Sequence, residues 1–233
     1  MSKRMQEAYK LVEPRKTYSL KEAVVILKKA PAPKFDETVD LAMSFDVDPK
    51  QSDQMVRGTV VLPHGTGRSI RVLVFAKGDA ERAAKEAGAE VVGSEELVAK
   101  VEGGWLEFDA VVSTPDMMRD IAKLGRVLGP RGLMPSPKAG TVTPDVGKAV
   151  KELKRGKVEF RMDKQADIHL GVAKRSFSEN AIEENVKALM EAVWKAKPAS
   201  AKGKYLRSVV LSSSMGPGLK LDPTEGKAQE LDS

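Results

Sequence analysis

The chain has 233 residues, a formal net charge of +6 at pH 7, two histidines and no cysteine. The absence of cysteine excludes disulfides and thiolate metal sites, and two histidines are too few for most zinc or catalytic-triad chemistry. The sequence has no apolar run long enough to span a membrane and no signal-peptide core near its start, so it predicts a cytoplasmic protein whose basic excess permits a nucleic-acid partner.

The N-terminal segment predicts one helix and two strands. Ser19 and Glu22 form a capping box, and apolar residues at helical spacing continue to Pro31. Between residues 39 and 47 apolar and polar residues alternate, which predicts a strand with one buried face. A second strand is predicted near residues 56–62. Two strands are only marginally stable alone, so this segment needs further strands from elsewhere.

The middle of the chain changes to alternating strands and helices. Residues 70–76 are almost continuously apolar, as in a strand that is buried on both faces. Further strands are predicted at 91–92 and 109–113, and helices at 79–89, 94–101, from 114 onward, and at 144–156. This alternation implies a parallel sheet with flanking helices.

The last segment returns to the pattern of the first. It predicts strands at 157–163, 167–173 and 205–215, with a long amphipathic helix before the last strand. These strands supply what the N-terminal segment lacks. We therefore predict a two-domain protein of α/β and α+β class. Residues 1–65 and 157–233 form a discontinuous α+β domain, and residues 66–156 form an inserted α/β domain.

Charge does not identify which domain meets a partner, since residues 1–65, 66–156 and 157–233 each carry a net charge of +2. Glycines lie at the two predicted crossings between the domains, Gly65 and Gly67 at the first and Gly156 at the second. Such positions suit a hinge, but surface turns use glycine equally often, so both interpretations stay open.

A basic loop is predicted at residues 124–143, which read LGRVLGPRGLMPSPKAGTVT. Because of its glycines and prolines we expect it to form neither a regular helix nor a regular strand. It contains Arg126, Arg131 and Lys138 and no acidic residue, a composition that points toward phosphate. Loops of this length in compact domains are usually functional or disordered.

Two further motifs have both a binding and a structural interpretation. In KFDETV (34–39), Phe35 can stack on a base while Lys34 meets phosphate, yet sequence alone favours Phe35 as a core aromatic at the strand start. In SSSMGPG (212–218), small hydroxyls and glycines allow close approach of a nucleic-acid backbone. An ordinary strand end followed by a turn is the alternative.

Enzyme function is disfavoured. HGTGR (64–68) precedes a strand instead of joining a strand to a helix, so it lacks the geometry of a nucleotide loop. Asp163 and Asp167 flank a turn and are more typical of turn residues than of a catalytic acid pair. We predict no catalytic, cofactor or metal site and no small-molecule substrate. The competing hypothesis is an α/β enzyme that uses a nucleotide in the inserted domain.

Seven sequence motifs resemble those of a known family, and they occur in the same order over nearly the whole chain. They are KFDETVDL (34–41), SDQMVRGTVVLPHGTG (52–67), EFDAVVSTPDMM (107–118), KLGRVLGPRGLMPSPKAGTV (123–142), EFRMDK (159–164), IHLGVAK (168–174) and SSSMGP (212–217). In these motifs the chain resembles the bacterial ribosomal protein L-one family. The resemblance implies a domain I built from both termini with an inserted, Rossmann-like domain II.

The resemblance also implies a function. It predicts a structural, non-enzymatic constituent of the large ribosomal subunit that binds 23S rRNA at the mobile stalk, chiefly through domain I. Stalk movement would assist release of deacylated exit-site tRNA, and binding to its own operon mRNA would repress translation. A regulator that binds only messenger RNA would use the same face, so sequence does not separate these two roles.

Matching positions give the expected RNA face: Lys34, Phe35, Glu37, Thr38, His169, Lys174, Ser212, Ser214, Met215 and Gly216. The Glu37 carboxylate would accept ribose hydroxyls or position neighbouring donors. Arg126, Arg131 and Lys138 would make secondary RNA or interdomain contacts. Ala173 stands where the family commonly has glycine, and alanine would be strained there if φ were positive. Ser213 and Ser214 stand where the family usually has threonine, so the hydroxyl is kept and a methyl group is lost.

Overall fold

The computed structural model describes residues 2–13, 15–51, 53–201 and 203–224. The helices are α1 Lys3–Lys10, α2 Leu20–Lys29, α3 Asp79–Glu86, α4 Glu95–Glu102, α5 Met118–Ile121, α6 Gly125–Leu128, α7 Val146–Lys154 and α8 Glu179–Lys195. The strands are β1 Thr38–Phe45, β2 Arg57–Val61, β3 Val72–Phe75, β4 Val91–Gly93, β5 Ala110–Ser113, β6 Lys157–Arg161, β7 Asp167–Lys174, β8 Leu206–Ser213 and β9 Leu219–Leu221. None of the helices in these ranges is both long and apolar enough to cross a membrane.

The chain divides into two compact units. The first unit contains the residues up to Gly67 and those from Val158 onward, and the second spans Arg68–Lys157. The predicted mixture of helices and sheets is confirmed. The finer description of the second unit as Rossmann-like stays a prediction.

The first unit is built on a four-stranded sheet in the order β7-β1-β8-β9, with antiparallel neighbours. β1 is an inner strand: Val39 pairs with Ala173 of β7 on one side and with Ser213 of β8 on the other. Its apolar residues pack in one core with apolar residues of α2 and α8. The alternation seen in the sequence arises because every second residue of β1 is buried. The N-terminal and C-terminal segments therefore meet in a single sheet.

Two elements of this unit escaped the sequence analysis. Among the eight residues of α1, Ala8 is the one that is buried. β9 has three residues, of which Leu219 and Leu221 are buried against the core. One buried residue and a three-residue strand give too little periodicity for a pattern to detect.

The second unit contains a three-stranded parallel sheet in the order β4-β3-β5. The two faces of β3 contribute to different cores. Leu73 and Phe75 pack with apolar residues of α4 and α5, while Val72 and Val74 pack with those of α3 and α7. Burial on both faces explains why this strand reads as a continuous apolar run.

The segment 124–143 contains more regular structure than predicted. It contains α6 and a 3₁₀ turn at Pro137–Ala139. The expectation that no helix forms here is wrong for the first turn. That turn precedes Pro130, the first proline of the segment, and buried Leu124 and Leu128 anchor it in the core.

The three glycines of the predicted crossings share a backbone conformation. Gly65, Gly67 and Gly156 have φ of 67°, 70° and 99°, values that glycine adopts at little cost. The segment at Gly65 is also held in place, because buried Asn185 donates to the Gly65 carbonyl oxygen and accepts from the His64 amide. Local turn geometry accounts for these glycines, and the hinge stays a prediction.

Candidate nucleic-acid interface

An exposed aromatic marks the loop between α2 and β1. Phe35 has 56% of its surface exposed, and Lys34 beside it is also exposed. The interpretation of Phe35 as a core aromatic is therefore wrong. The core at this strand start is filled instead by Val39 and the alternate residues that follow it. Phe35 is available to stack against a planar ligand.

Three predicted residues from distant parts of the chain meet at one end of β1. Thr38 pairs with Lys174 of β7, whose Nζ donates to the Thr38 hydroxyl oxygen at 3.2 Å. On the other side the Thr38 amide donates to Ser214 Oγ at 3.2 Å, and the Ser214 amide donates to the Thr38 carbonyl oxygen at 3.0 Å. They come together because both chain segments pair with β1.

Glu37 is completely buried, although it directly precedes this strand end. Its Oε2 accepts from Arg175 Nη1 at 2.7 Å, and its Oε1 accepts from the Met215 amide at 2.9 Å. The expectation that this carboxylate accepts ribose hydroxyls is contradicted, because it has no exposed surface. Its alternative role fits, since it orients the backbone of Met215, whose side chain is 50% exposed.

Arg175 is the main residue that the sequence analysis missed. Its side chain is 11% exposed, and its Nη2 donates to the carbonyl oxygens of Lys28 and Ala30 at the end of α2. Its amide donates to the Glu37 carbonyl oxygen at 2.8 Å. Lys28 in turn donates through Nζ to the carbonyl oxygen of Arg175. The only sequence signal was a basic residue next to Lys174, which does not identify a buried partner.

Arg4 of α1 also contacts this region. Its Nη2 donates to the Met215 carbonyl oxygen at 3.1 Å, and its Nη1 lies 3.5 Å from the Pro31 carbonyl oxygen. Helix α1 therefore adjoins the loop that carries Phe35. The exposed Lys3 and Lys10 add positive charge on the same helix.

The turn after β8 leaves little room for a side chain at its end. The Gly216 amide donates to the Ser213 carbonyl oxygen at 3.0 Å. A Cβ at Gly216 would lie 2.4 Å from Ser213 Oγ, closer than real Cβ contacts. Gly216 thus shapes the turn that presents Met215.

Two predicted residues lie further along the sheet. Ser212 pairs with Asp40, and His169 pairs with Ala42. His169 is five residues from Lys174 on β7, which corresponds to about 16 Å at ~3.3 Å per strand residue. It is exposed, whereas the neighbouring Ile168 is buried, so it faces away from the core. The structure does not bring His169 to the strand end where Lys174 lies.

The turn interpretation of Asp163 is confirmed. Its Oδ1 accepts from the amides of Gln165 and Asp167 at 2.8 and 2.9 Å. Possible ligand atoms of Asp163, Asp167 and His169 lie within 4.8 Å of one another. Asp163 is exposed and already accepts two backbone hydrogen bonds, so the turn accounts for the position of this carboxylate.

The second unit offers a different kind of basic surface. Arg126, Arg131 and Lys138 are all exposed.

The helices that follow β3 and β4 have acidic first turns, with Asp79 and Glu81 in α3 and Glu95 and Glu96 in α4. Carboxylates at a helix N-terminus repel the phosphate that such a terminus would otherwise attract. This disfavours the nucleotide-dependent enzyme.

The positions where the chain departs from the family motifs do not disturb the site. Positive φ outside glycine occurs at Arg15 and Ala166 among the described residues, so alanine is unstrained at position 173. Ser214 uses its hydroxyl oxygen in the hydrogen bonds to Thr38.

Comparison with known proteins agrees with the sequence motifs. The model of the Ribosomal protein L1p/L10e family matches residues 26–217. Large ribosomal subunit protein uL1 of Protochlamydia amoebophila is 58% identical over 224 residues, covering 96% of this chain and 95% of that protein. The protein of the same name from a Nocardioides species is 53% identical over 231 residues, covering 99% and 96%. The chain therefore belongs to the Ribosomal protein L1p/L10e family.

Proposed function

We propose that this protein is a non-catalytic, structural constituent of the large ribosomal subunit that binds 23S rRNA at the mobile stalk. The relatives support the ribosomal role, since both are named large ribosomal subunit proteins. The observation that carries the RNA-binding role is Phe35, an exposed aromatic on a loop that is held by polar contacts from residues 175 and 176.

The chemistry of this surface suits folded RNA. An aromatic ring such as Phe35 stacks on unpaired bases without regard to their identity. Lys34 and Lys174 supply charge for phosphates, and the Ser214 hydroxyl and neighbouring backbone groups suit ribose 2′-hydroxyls. The first unit, predicted as residues 1–65 and 157–233, would thus be the main RNA-binding domain.

The finer roles are part of the same proposal. Movement of the rRNA stalk with its bound protein would assist release of deacylated tRNA from the exit site. The same surface would bind the protein's own operon mRNA and repress its translation. The loop at residues 124–143, in the Rossmann-like domain 66–156, would make secondary contacts, and Gly65, Gly67 and Gly156 would permit domain movement.

The test is direct binding to a stalk fragment of 23S rRNA over a range of salt concentrations. We expect tight binding whose affinity falls steeply with salt, and weak binding to an unrelated RNA duplex. Equal affinity for the two RNAs would overturn the specific role. Co-sedimentation with large subunits separates a ribosomal protein from a regulator that binds only messenger RNA.

A further inference from the structure

We propose that Arg175 is a positioning residue for RNA binding, which fixes the loop 30–37 and the turn 214–216 in their binding geometry. This inference rests on the proposed RNA-binding function of the same surface. Arg175 acts from beneath the surface and does not itself contact the RNA.

The first support is the set of segments that Arg175 joins. Its guanidinium donates to the Ala30 carbonyl oxygen where the loop begins and to the Glu37 carboxylate where the loop ends. Glu37 also accepts a hydrogen bond from the Met215 amide, which connects the turn to the same ion pair. One buried side chain therefore connects both ends of the loop to the turn.

The second support comes from the residues on either side of Arg175. Lys174 Nζ lies 3.4 Å from the Asp36 carbonyl oxygen. Ser176 donates to the Asp36 carboxylate through its amide at 3.1 Å and its hydroxyl at 2.8 Å. Three consecutive residues at the end of β7, Lys174 to Ser176, thus hold the residues that directly follow Phe35.

The third support is that apolar burial cannot order this loop. Lys34, Phe35 and Asp36 are all exposed, so the loop tip contributes little to the core. Polar contacts made by residues 174–176, together with Arg4 at Pro31, hold the loop instead. A loop that is already ordered binds more tightly, because association no longer has to immobilise it.

The Arg175 side chain also has little exposed surface with which to contact a phosphate. It is 11% exposed, and its two terminal nitrogens donate to the protein. Because its terminal N–H groups already donate to a carboxylate and two carbonyl oxygens, the fork has few donors left for a phosphate.

The experiment compares Arg175→Met, which keeps the length and removes the charge, with Arg175→Lys, which keeps the charge and loses the fork. Arg57→Met is the matched control, since Arg57 pairs with Glu159 at 2.7 Å in the same unit and both side chains are about one-third exposed. Each variant is measured for amide hydrogen exchange, for affinity to the 23S stalk fragment and for the salt dependence of that affinity. Thermal unfolding identifies any variant that fails to fold, and Arg175→Lys then carries the test.

We expect Arg175→Met to speed exchange at the Met215 amide and to weaken RNA binding roughly tenfold, the scale of ordering one or two side chains on association. The slope of log affinity against log salt should not change, because no phosphate contact is lost. Phe35→Ala should weaken binding less in the Arg175→Met background than in the wild type. Arg175→Lys should fall between wild type and Arg175→Met, and Arg57→Met should leave affinity unchanged.

A salt slope that is smaller by about 0.7–0.9 would instead identify Arg175 as a direct phosphate contact and overturn the inference. Faster exchange at Met215 with unchanged RNA affinity would also overturn it. Failure of the wild type to bind the stalk fragment would defeat the proposed function itself. The exchange measurement would still report whether Arg175 orders the turn.

Discussion

The two basic regions of the molecule differ in how they use their charges. The segment 124–143 presents Arg126, Arg131 and Lys138 to solvent without any acidic residue. The first unit instead withdraws an ion pair, Arg175 with Glu37, from most of the solvent and exposes Phe35 on the loop that this pair holds. An unpaired basic run attracts any polyanion, whereas recognition of one RNA needs fixed geometry. The region with the less conspicuous charge pattern is therefore the better candidate for specific binding.

The largest expected effect is on stability, because the ion pair is buried. Glu37→Ala leaves the Arg175 charge without its partner and should lower the free energy of unfolding by about 3–5 kcal/mol. Glu159→Ala is the control, since its pair with Arg57 is partly exposed and should contribute only about 0–1 kcal/mol. Urea unfolding of both variants measures the difference. Similar losses in the two would remove the distinction between the buried and exposed pairs.

The next effect is on RNA affinity with the fold intact. Phe35→Ala should weaken binding to the stalk fragment by about 1–3 kcal/mol, the usual contribution of a base stacked on an aromatic side chain. Its melting temperature should change little, since Phe35 is mostly exposed. A large fall in melting temperature would show that the ring stabilises the core after all.

A smaller effect is expected where the strand ends meet. Ser214→Ala removes the acceptor of the Thr38 amide and should lower unfolding free energy by about 0.5–1.5 kcal/mol, with a modest loss of RNA affinity. Ser208→Ala is the matched control. Ser208 lies on β8, shortly before Ser214 in the sequence, but it pairs with Ser44 towards the other end of β1. Equal loss of RNA affinity in the two variants would contradict the placement of the binding site.

The smallest effect on RNA affinity should come from the second unit. Replacing Arg126, Arg131 and Lys138 together with alanine should weaken binding less than Phe35→Ala does, and should mainly reduce its salt dependence. Titration of the stalk fragment at two salt concentrations measures both quantities. A larger loss than that of Phe35→Ala would reverse the comparison and move the main contact to the segment 124–143.

The sequence predicted the elements whose pattern is local. The alternation in β1 and the capping box of Ser19 and Glu22 are both present in the structure. It could not predict that Phe35 is exposed, because an aromatic just before an alternating strand has the same local pattern in either state. It also could not pair Glu37 with Arg175, which lie 138 residues apart. That pairing depends on the register between β1 and β7, which one sequence does not determine.

The inner position of β1 has a consequence for a chain that is still being synthesised. β1 is among the first strands to be made, yet its partners β7 and β8 come more than a hundred residues later. The second unit is one continuous stretch, so all its strands are complete before β7 exists. The surface around Phe35 can form only after β8 has been added. A chain that stops before β8 would carry the basic segment 124–143 but not the surface that we propose for RNA, so the proposal restricts specific RNA binding to nearly finished molecules.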